Sequence, residues 1–214
     1  MLDRRSLLLV LPLAAAGCAT GSAEDEPLPR LVTGYRHLTP IRLNVADVQL
    51  VPPAAGAVRV DEPAPVRPDA EMALMARERL VPMGTAGQAR FIVQAAEFLR
   101  ERLPRSPNQF GSLSGEPGER LTCRVNARLE VISGEGERVG FVEAEARRQR
   151  TTGSGASQAT RLRAAEDVVR QAMDDLNVEF EFQIRRALRA WLVQSAAPTA
   201  LGPGGIERED LAGR

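Results

Sequence analysis

Cys18, Cys123 and His37 are the only thiols and the only imidazole in this 214-residue chain. A zinc site built from them would have to lean on carboxylates, and neither HExxH nor paired CxxC motifs occur. All 28 basic residues are arginine. That excludes a Schiff-base lysine, a P-loop lysine and a Ser–Lys hydrolase dyad. Cys123 and His37 are the one pair that could act as nucleophile and base. Cys123, however, shares its phase with Leu121, Val125, Ala127, Leu129 and Val131 on an alternating strand, and apolar burial raises a thiol pKa. It is expected in the core, with His37 on the surface. Gly153-Ser154-Gly155 stands before a helix, where a phosphate-cradling turn would sit, but the G-x-G-x-x-G pattern fails at Gln158. Glu143 and Glu145 share one strand face as a glycosidase pair can; on a wet face such carboxylates more commonly pair with arginine. No Asp-rich calcium loop is present. The expectation is no catalytic residue, no metal and no cofactor.

One cationic cluster remains. Residues 147–163 hold Arg147, Arg148, Arg150, Arg161 and Arg163 and no acid. Guanidiniums at a strand–helix junction could grip the phosphates of lipid headgroups or lipopolysaccharide. The alternative is that acids from elsewhere in the fold balance them. Arg147 is expected to point to solvent, and Arg148 to share the inward phase and reach past the rim of the core. Basic and acidic residues balance at 28 each and aromatics are 4%, so neither a basic field nor a stacking platform argues for nucleic acid.

At the N-terminus Arg4 and Arg5 precede Ser6–Ala16, an apolar run broken only by Pro12. Eleven residues suit a secretory h-region and are too short to cross a bilayer as a helix. The run ends Ala15-Ala16-Gly17-Cys18, which resembles a bacterial lipobox, with Ala15 where leucine is preferred. That resemblance implies a lipoprotein signal peptide over 1–17 and lipid on Cys18. Membrane lipid is then a partner through the acyl anchor. Ala19 implies, by enteric sorting rules, the periplasmic face of the outer membrane of a Gram-negative cell. Arg4-Arg5-Ser6-Leu7-Leu8 also resembles a twin-arginine signal but departs from it at Asp3 and Leu7, so both export routes stay open. Lipidation would leave Cys123 without a disulfide partner.

Residues 18–34 are small and polar and read as a disordered tether, averaging roughly 20–25 Å end to end. A single domain is expected over 35–194 and a disordered tail over 195–214. Ile41, Leu43 and Val45 alternate as a strand, and a bulge near Ala46-Asp47 would carry it on to Val48 and Leu50. Five prolines from Pro52 to Pro68 predict an extended excursion with no core face. Asp69 is placed to cap a helix with Met72, Ala76, Leu80 and Met83 inward, closed by Pro82 and Gly84. Ala89, Phe91, Val93 and Ala95 form a second strand whose phase slips before Phe98, and residues 104–119 form a polar loop. A hairpin follows, with Arg128 facing Glu143, Leu129 facing Val142 and Ser133 facing Arg138 across the turn. Leu162, Ala165, Val169, Ala172, Leu176, Phe180, Ile184, Ala187 and Trp191 then trace one long helix of roughly 45 Å, expected to bend or overhang the sheet.

The fold expected is α+β: a two-layer sandwich, with a four-stranded, mainly antiparallel sheet and two helices on one face, in the order β-α-β-β-β-α. With the lipobox and the segment Tyr35–Val45 (YRHLTPIRLNV), the chain resembles a family of alphaproteobacterial lipoproteins of unassigned role. Its architecture is also similar to accessory lipoproteins of envelope transport, such as ABC-transport auxiliary and lipopolysaccharide-assembly lipoproteins, at the level of fold alone. The resemblance implies a non-enzymatic binding or scaffolding module with a protein partner in the envelope. An envelope hydrolase acting on peptidoglycan or lipid would instead need a cleft of converging polar groups. A carrier of an apolar ligand would need a closed cavity between sheet and helices.

Overall fold

The computed structural model describes residues 34–104 and 118–193, all within one unit, Gly34–Arg214. The expected signal peptide, the tether up to residue 33, most of the 104–119 loop and the tail lie outside the described residues.

The order is β1 (Ile41–Leu43), β2 (Asp47–Val51), β3 (Val58–Val60), α1 (Pro68–Arg79), β4 (Leu80–Pro82), β5 (Gln88–Arg102), β6 (Glu119–Ile132), β7 (Arg138–Thr152) and α2 (Gln158–Ala187). A short 3-10 turn, Arg189–Trp191, follows. The class is α+β. The sheet, however, has five strands and is mixed, not four-stranded and mainly antiparallel. β2 and β3 both lie parallel to β5, at its Gln88–Ile92 and Ala96–Phe98 stretches, while β5, β6 and β7 form an antiparallel meander. β1 and β4 make a separate parallel pair. Parallel neighbours need a crossover, and α1 lies in the connection that carries the chain back.

Alternation sets which face a residue takes and says nothing of its neighbour, and the N-terminal strands depart from expectation for that reason. The expected strand over residues 41–50 is two strands in two sheets. Its phase slip is a change of sheet, where the Ala46 N–H meets the carbonyls of Ala86 and Gly87. The proline stretch does have a core side, because Val58 and Val60 pack against the core from β3. Prolines around it are tolerated because the strand is at an edge. α1 begins one residue before Asp69, with Pro68 in its first turn and no side-chain cap, since proline's fixed φ already suits that position. It ends at Arg79 because Leu80–Pro82 are drawn into β4, and Met83 is left exposed.

The hairpin has the expected register through its body: Arg128 faces Glu143, Leu129 faces Val142 and Ala127 faces Ala144. Near the turn a shift leaves Ile132, not Ser133, opposite Arg138. The phase slip in β5 is a bulge between Val93 and Ala95. Leu121, Cys123, Val125, Ala127, Leu129 and Val131 of β6 are all buried, as are Val142, Ala144 and Ala146 of β7. Both helices cover that face: α1 packs over β5, and α2 over β6 and β7. Phe91 meets Phe180 edge to face, with centroids 5.6 Å apart. The opposite face is a ladder of ion pairs, including Arg124–Glu145 at 2.7 Å and Arg128–Glu143 at 3.2 Å.

α2 starts at Ser157, whose hydroxyl accepts from the Thr160 N–H at 3.2 Å. Its apolar stripe runs from Ala164 to Ile184 and ends on Leu188 rather than Ala187, which is exposed. Leu188 comes so close to β7 that a Cβ on Gly140 would lie 2.8 Å from its Cδ2. The chain then returns to β1: the Asn44 N–H donates to the Trp191 carbonyl at 2.7 Å, and the Val193 N–H to Arg42 at 3.0 Å.

Candidate functional site

Cys123 is fully buried, and desolvation pushes its thiol up to about 12. His37 is exposed in the segment before β1. One is in the core and the other in solvent, so they form no thiol–imidazole dyad.

Of the five arginines in the 147–163 stretch, Arg147, Arg148 and Arg150 are divided by the pleat of β7, and Arg161 and Arg163 stand in the first turns of α2. Arg148 and Arg150 share the inward phase with Val142, Ala144 and Ala146 and leave the core at its rim, where α2 meets them with acids. Arg148 grips Asp175 with two nitrogens, Nη2 at 2.7 Å from Oδ1, which raises its pKa above the usual guanidinium value. Arg150 Nη1 is 2.8 Å from Asp167. Arg161 Nη2 reaches the Ser154 carbonyl at 3.4 Å. Arg147 has the wet phase, beside Glu145. Glu145 is held below the usual carboxylate range mainly by its hydrogen bonds from Arg124, with Asn126 and the nearby charge of Arg147 assisting. Arg147, Arg148, Arg150 and Arg161 therefore reach different partners on different sides of the β7–α2 junction and do not converge on one point, while Arg163 is exposed on α2.

Along that rim an open groove of about 490 Å3 separates β7 from α2, lined by Glu143–Arg147, Asp175, Val178 and Glu179. A second open cleft, of about 510 Å3, lies where β1 and the residues before it meet the end of α2 and is lined by Pro40, Ile41, Arg42, Arg185, Arg189 and Leu192, among others. Sequence patterning did not reveal this cleft, because its residues are far apart along the chain. Both are open rims rather than closed cavities.

The least expected residue is Arg79, buried on α1 and bonded to Asn177 and Glu181 of α2, the latter at 2.5 Å. Burial alone would raise the Glu181 pKa; Arg79 and Arg185 overcome it and hold the carboxyl below its usual value. A signal was available: Arg79 follows Met72 and Ala76 at i+7 and i+3, on the apolar stripe. Among the described residues no group of three or more His, Cys, Asp or Glu could hold a metal, and no helix is long and apolar enough to cross a membrane.

The features define a class: a two-layer α+β domain with a filled core, a charged open sheet face and a grooved rim. No protein-family model matches the chain, and no curated protein matches it. Among solved structures it is similar to a minor lipoprotein from Acinetobacter baumannii, at 12% identity and a TM-score of 0.37, over 72% of this chain and 99% of that one. It is also similar to a neuraminyllactose-binding hemagglutinin homolog from Helicobacter pylori, at 9% identity and 0.36, over 69% and 88%. Rare lipoprotein B from Shewanella oneidensis is a third, at 17% and 0.26, over 63% and 98%. At such low scores these likenesses say nothing of what this chain does.

Proposed function

We propose that this chain is a lipid-anchored envelope lipoprotein that works by holding a partner at its rim, without transforming it. The observation that carries the reading is the filled interlayer. Leu43, Ala76, Phe98, Leu129, Ala172, Leu176 and Ile184 are all fully buried between sheet and helices, which favours a rigid scaffold over a carrier of an apolar ligand. The accessible grooves lie instead at the edges, where a macromolecule can reach them.

The anchor rests on Arg4, Arg5 and the Ala15–Cys18 segment. Metabolic labelling with a fatty-acid analogue is expected to mark the wild-type chain, and Cys18→Ser is expected to be unlabelled and released from membranes. Equal labelling of the two would overturn the anchor. Crosslinking in intact cells, with photoreactive residues placed along β7 and α2, is expected to trap an envelope protein at the rim and none from the Gln94 side of the sheet.

A further inference from the structure

β7 is an edge strand. Its outer side pairs with no described strand, although it runs for 15 residues. An open edge of that length is a template for another strand unless something covers it. Beside it, α2 presents two exposed apolar side chains one turn apart, Val178 at 68% and Phe182 at 54% exposure. Val178 lines the groove against Glu143–Arg147.

We propose that β7 pairs antiparallel with β7 of a second copy of this chain, joining two sheets into one across a twofold axis. The charge order of the strand carries the choice of occupant. In a twofold pairing residue i faces j and j faces i, and keeping one face apolar requires the register to be centred on a residue. Of the registers centred from Glu143 to Arg150, one alone sets no like charges directly opposite: that centred on Ala146. Centring on Ala144 opposes Glu143 to Glu145. Centring on Gln149 opposes Arg148 to Arg150, and every charged centre opposes itself. At Ala146, Glu145 faces Arg147 of the second copy, twice over. Glu143 there faces Gln149, Phe141 faces Thr151, and the small Ala146 side chains meet at the axis.

The receiving groups are in place. Arg147 is exposed and acts on Glu145 of its own strand through charge. Glu145 already accepts from Arg124 and Asn126, and a carboxylate has further lone-pair sites to offer. The two α2 helices would lie antiparallel on the same side of the joined sheet. At roughly the 8–10 Å spacing of packed helices, each would cover the other's Val178 and Phe182.

This deepens the scaffolding reading by naming the partner, yet it rests on β7 and α2 and not on the anchor at Cys18, which the labelling experiment tests alone. The experiment is disulfide trapping of the full chain in intact cells, in a Cys123→Ala background with a mild oxidant. Ala146→Cys is expected to give a dimer of twice the chain mass on non-reducing gels, and Gln94→Cys, on the sheet face away from the edge, none. Adding Arg147→Glu to Ala146→Cys turns two attractive pairs into two repulsive ones and should lower the trapped fraction about tenfold; adding Glu145→Arg as well should restore it. Phe182→Asp should also weaken trapping while leaving the far-ultraviolet circular dichroism unchanged. Trapping of a different protein at Ala146→Cys, no trapping at all, or a dimer indifferent to both Arg147→Glu and Phe182→Asp would each overturn the second copy as the occupant.

Discussion

Arg79 takes its charge into the joint between α1 and α2, where Glu181 and Asn177 receive it. Removing one partner of such a pair leaves the other uncompensated, so Glu181→Ala is expected to cost about 3 kcal/mol in urea denaturation at neutral pH. Arg79→Met, of similar length and apolar, should change stability by only ~1 kcal/mol, because Glu181 can still use Arg185. The pair also sets a pH dependence. The folded-state pKa of Glu181 is depressed, so its contribution is present above the unfolded carboxylate value of about 4.3 and is lost as pH falls through the lower folded value. Denaturation midpoints of wild type and Glu181→Gln should therefore converge as the solution is acidified below about pH 4. At Cys123 the thiol is expected to resist alkylation in the folded chain and to react once denatured. Cys123→Ala should cost about 1–2 kcal/mol for the small volume removed.

At the scale of elements, the β6–β7 hairpin was legible and the N-terminal strands were not. In the hairpin, two long strands with opposite phase flank a short turn, so opposing charges and opposing apolar residues select the same register. Residues 41–51 alternate just as clearly, but their partners, β4 and β5, lie across α1, and no local pattern marks a strand that changes sheets. β3 is three residues long between prolines, too short for its period to stand out. The rim of α2 was legible only in part. The strand phase separates Arg147 from Arg148, but it cannot say that Asp167 and Asp175 will stand where Arg150 and Arg148 emerge. Gly87 shows how β5 is admitted beside β6: its φ is +76°, and a Cβ there would lie 2.6 Å from the Ile132 carbonyl oxygen. Gly87→Ala is therefore expected to lose about 1–3 kcal/mol, measured as a lowered denaturation midpoint with unchanged circular dichroism at rest.

For the whole molecule, protection is expected to be graded from the centre outward. β6 is paired on both sides, and its inward residues from Leu121 to Val131 are fully buried. β1, β2 and β3 are short; β2 and β3 are each paired on one side, and β1 has β4 on one side and a single bridge at Leu192 on the other. Native-state hydrogen exchange is expected to be slowest in β6 and the adjoining halves of β5 and β7, and fastest in β1 to β3, which open without unfolding the rest. Uniform exchange across all seven strands would show instead that the two halves of the domain unfold together.

The dependence of β2 and β3 on β5 has a consequence in time. A chain leaves the ribosome, and crosses any membrane, N-terminus first. The first strands to emerge are those that cannot close on anything made before them: β2 and β3 wait for Gln88–Phe98, and β1 waits for Leu80–Pro82 and for Leu192 near the far end. The meander and α2, from Gln88 to Ala187, instead find their partners in the order of their synthesis. The earliest-made part of the domain thus stays extended and available to whatever carries or threads the chain until Leu80–Phe98 has followed it, and β1 is closed on its second side only when Leu192 arrives.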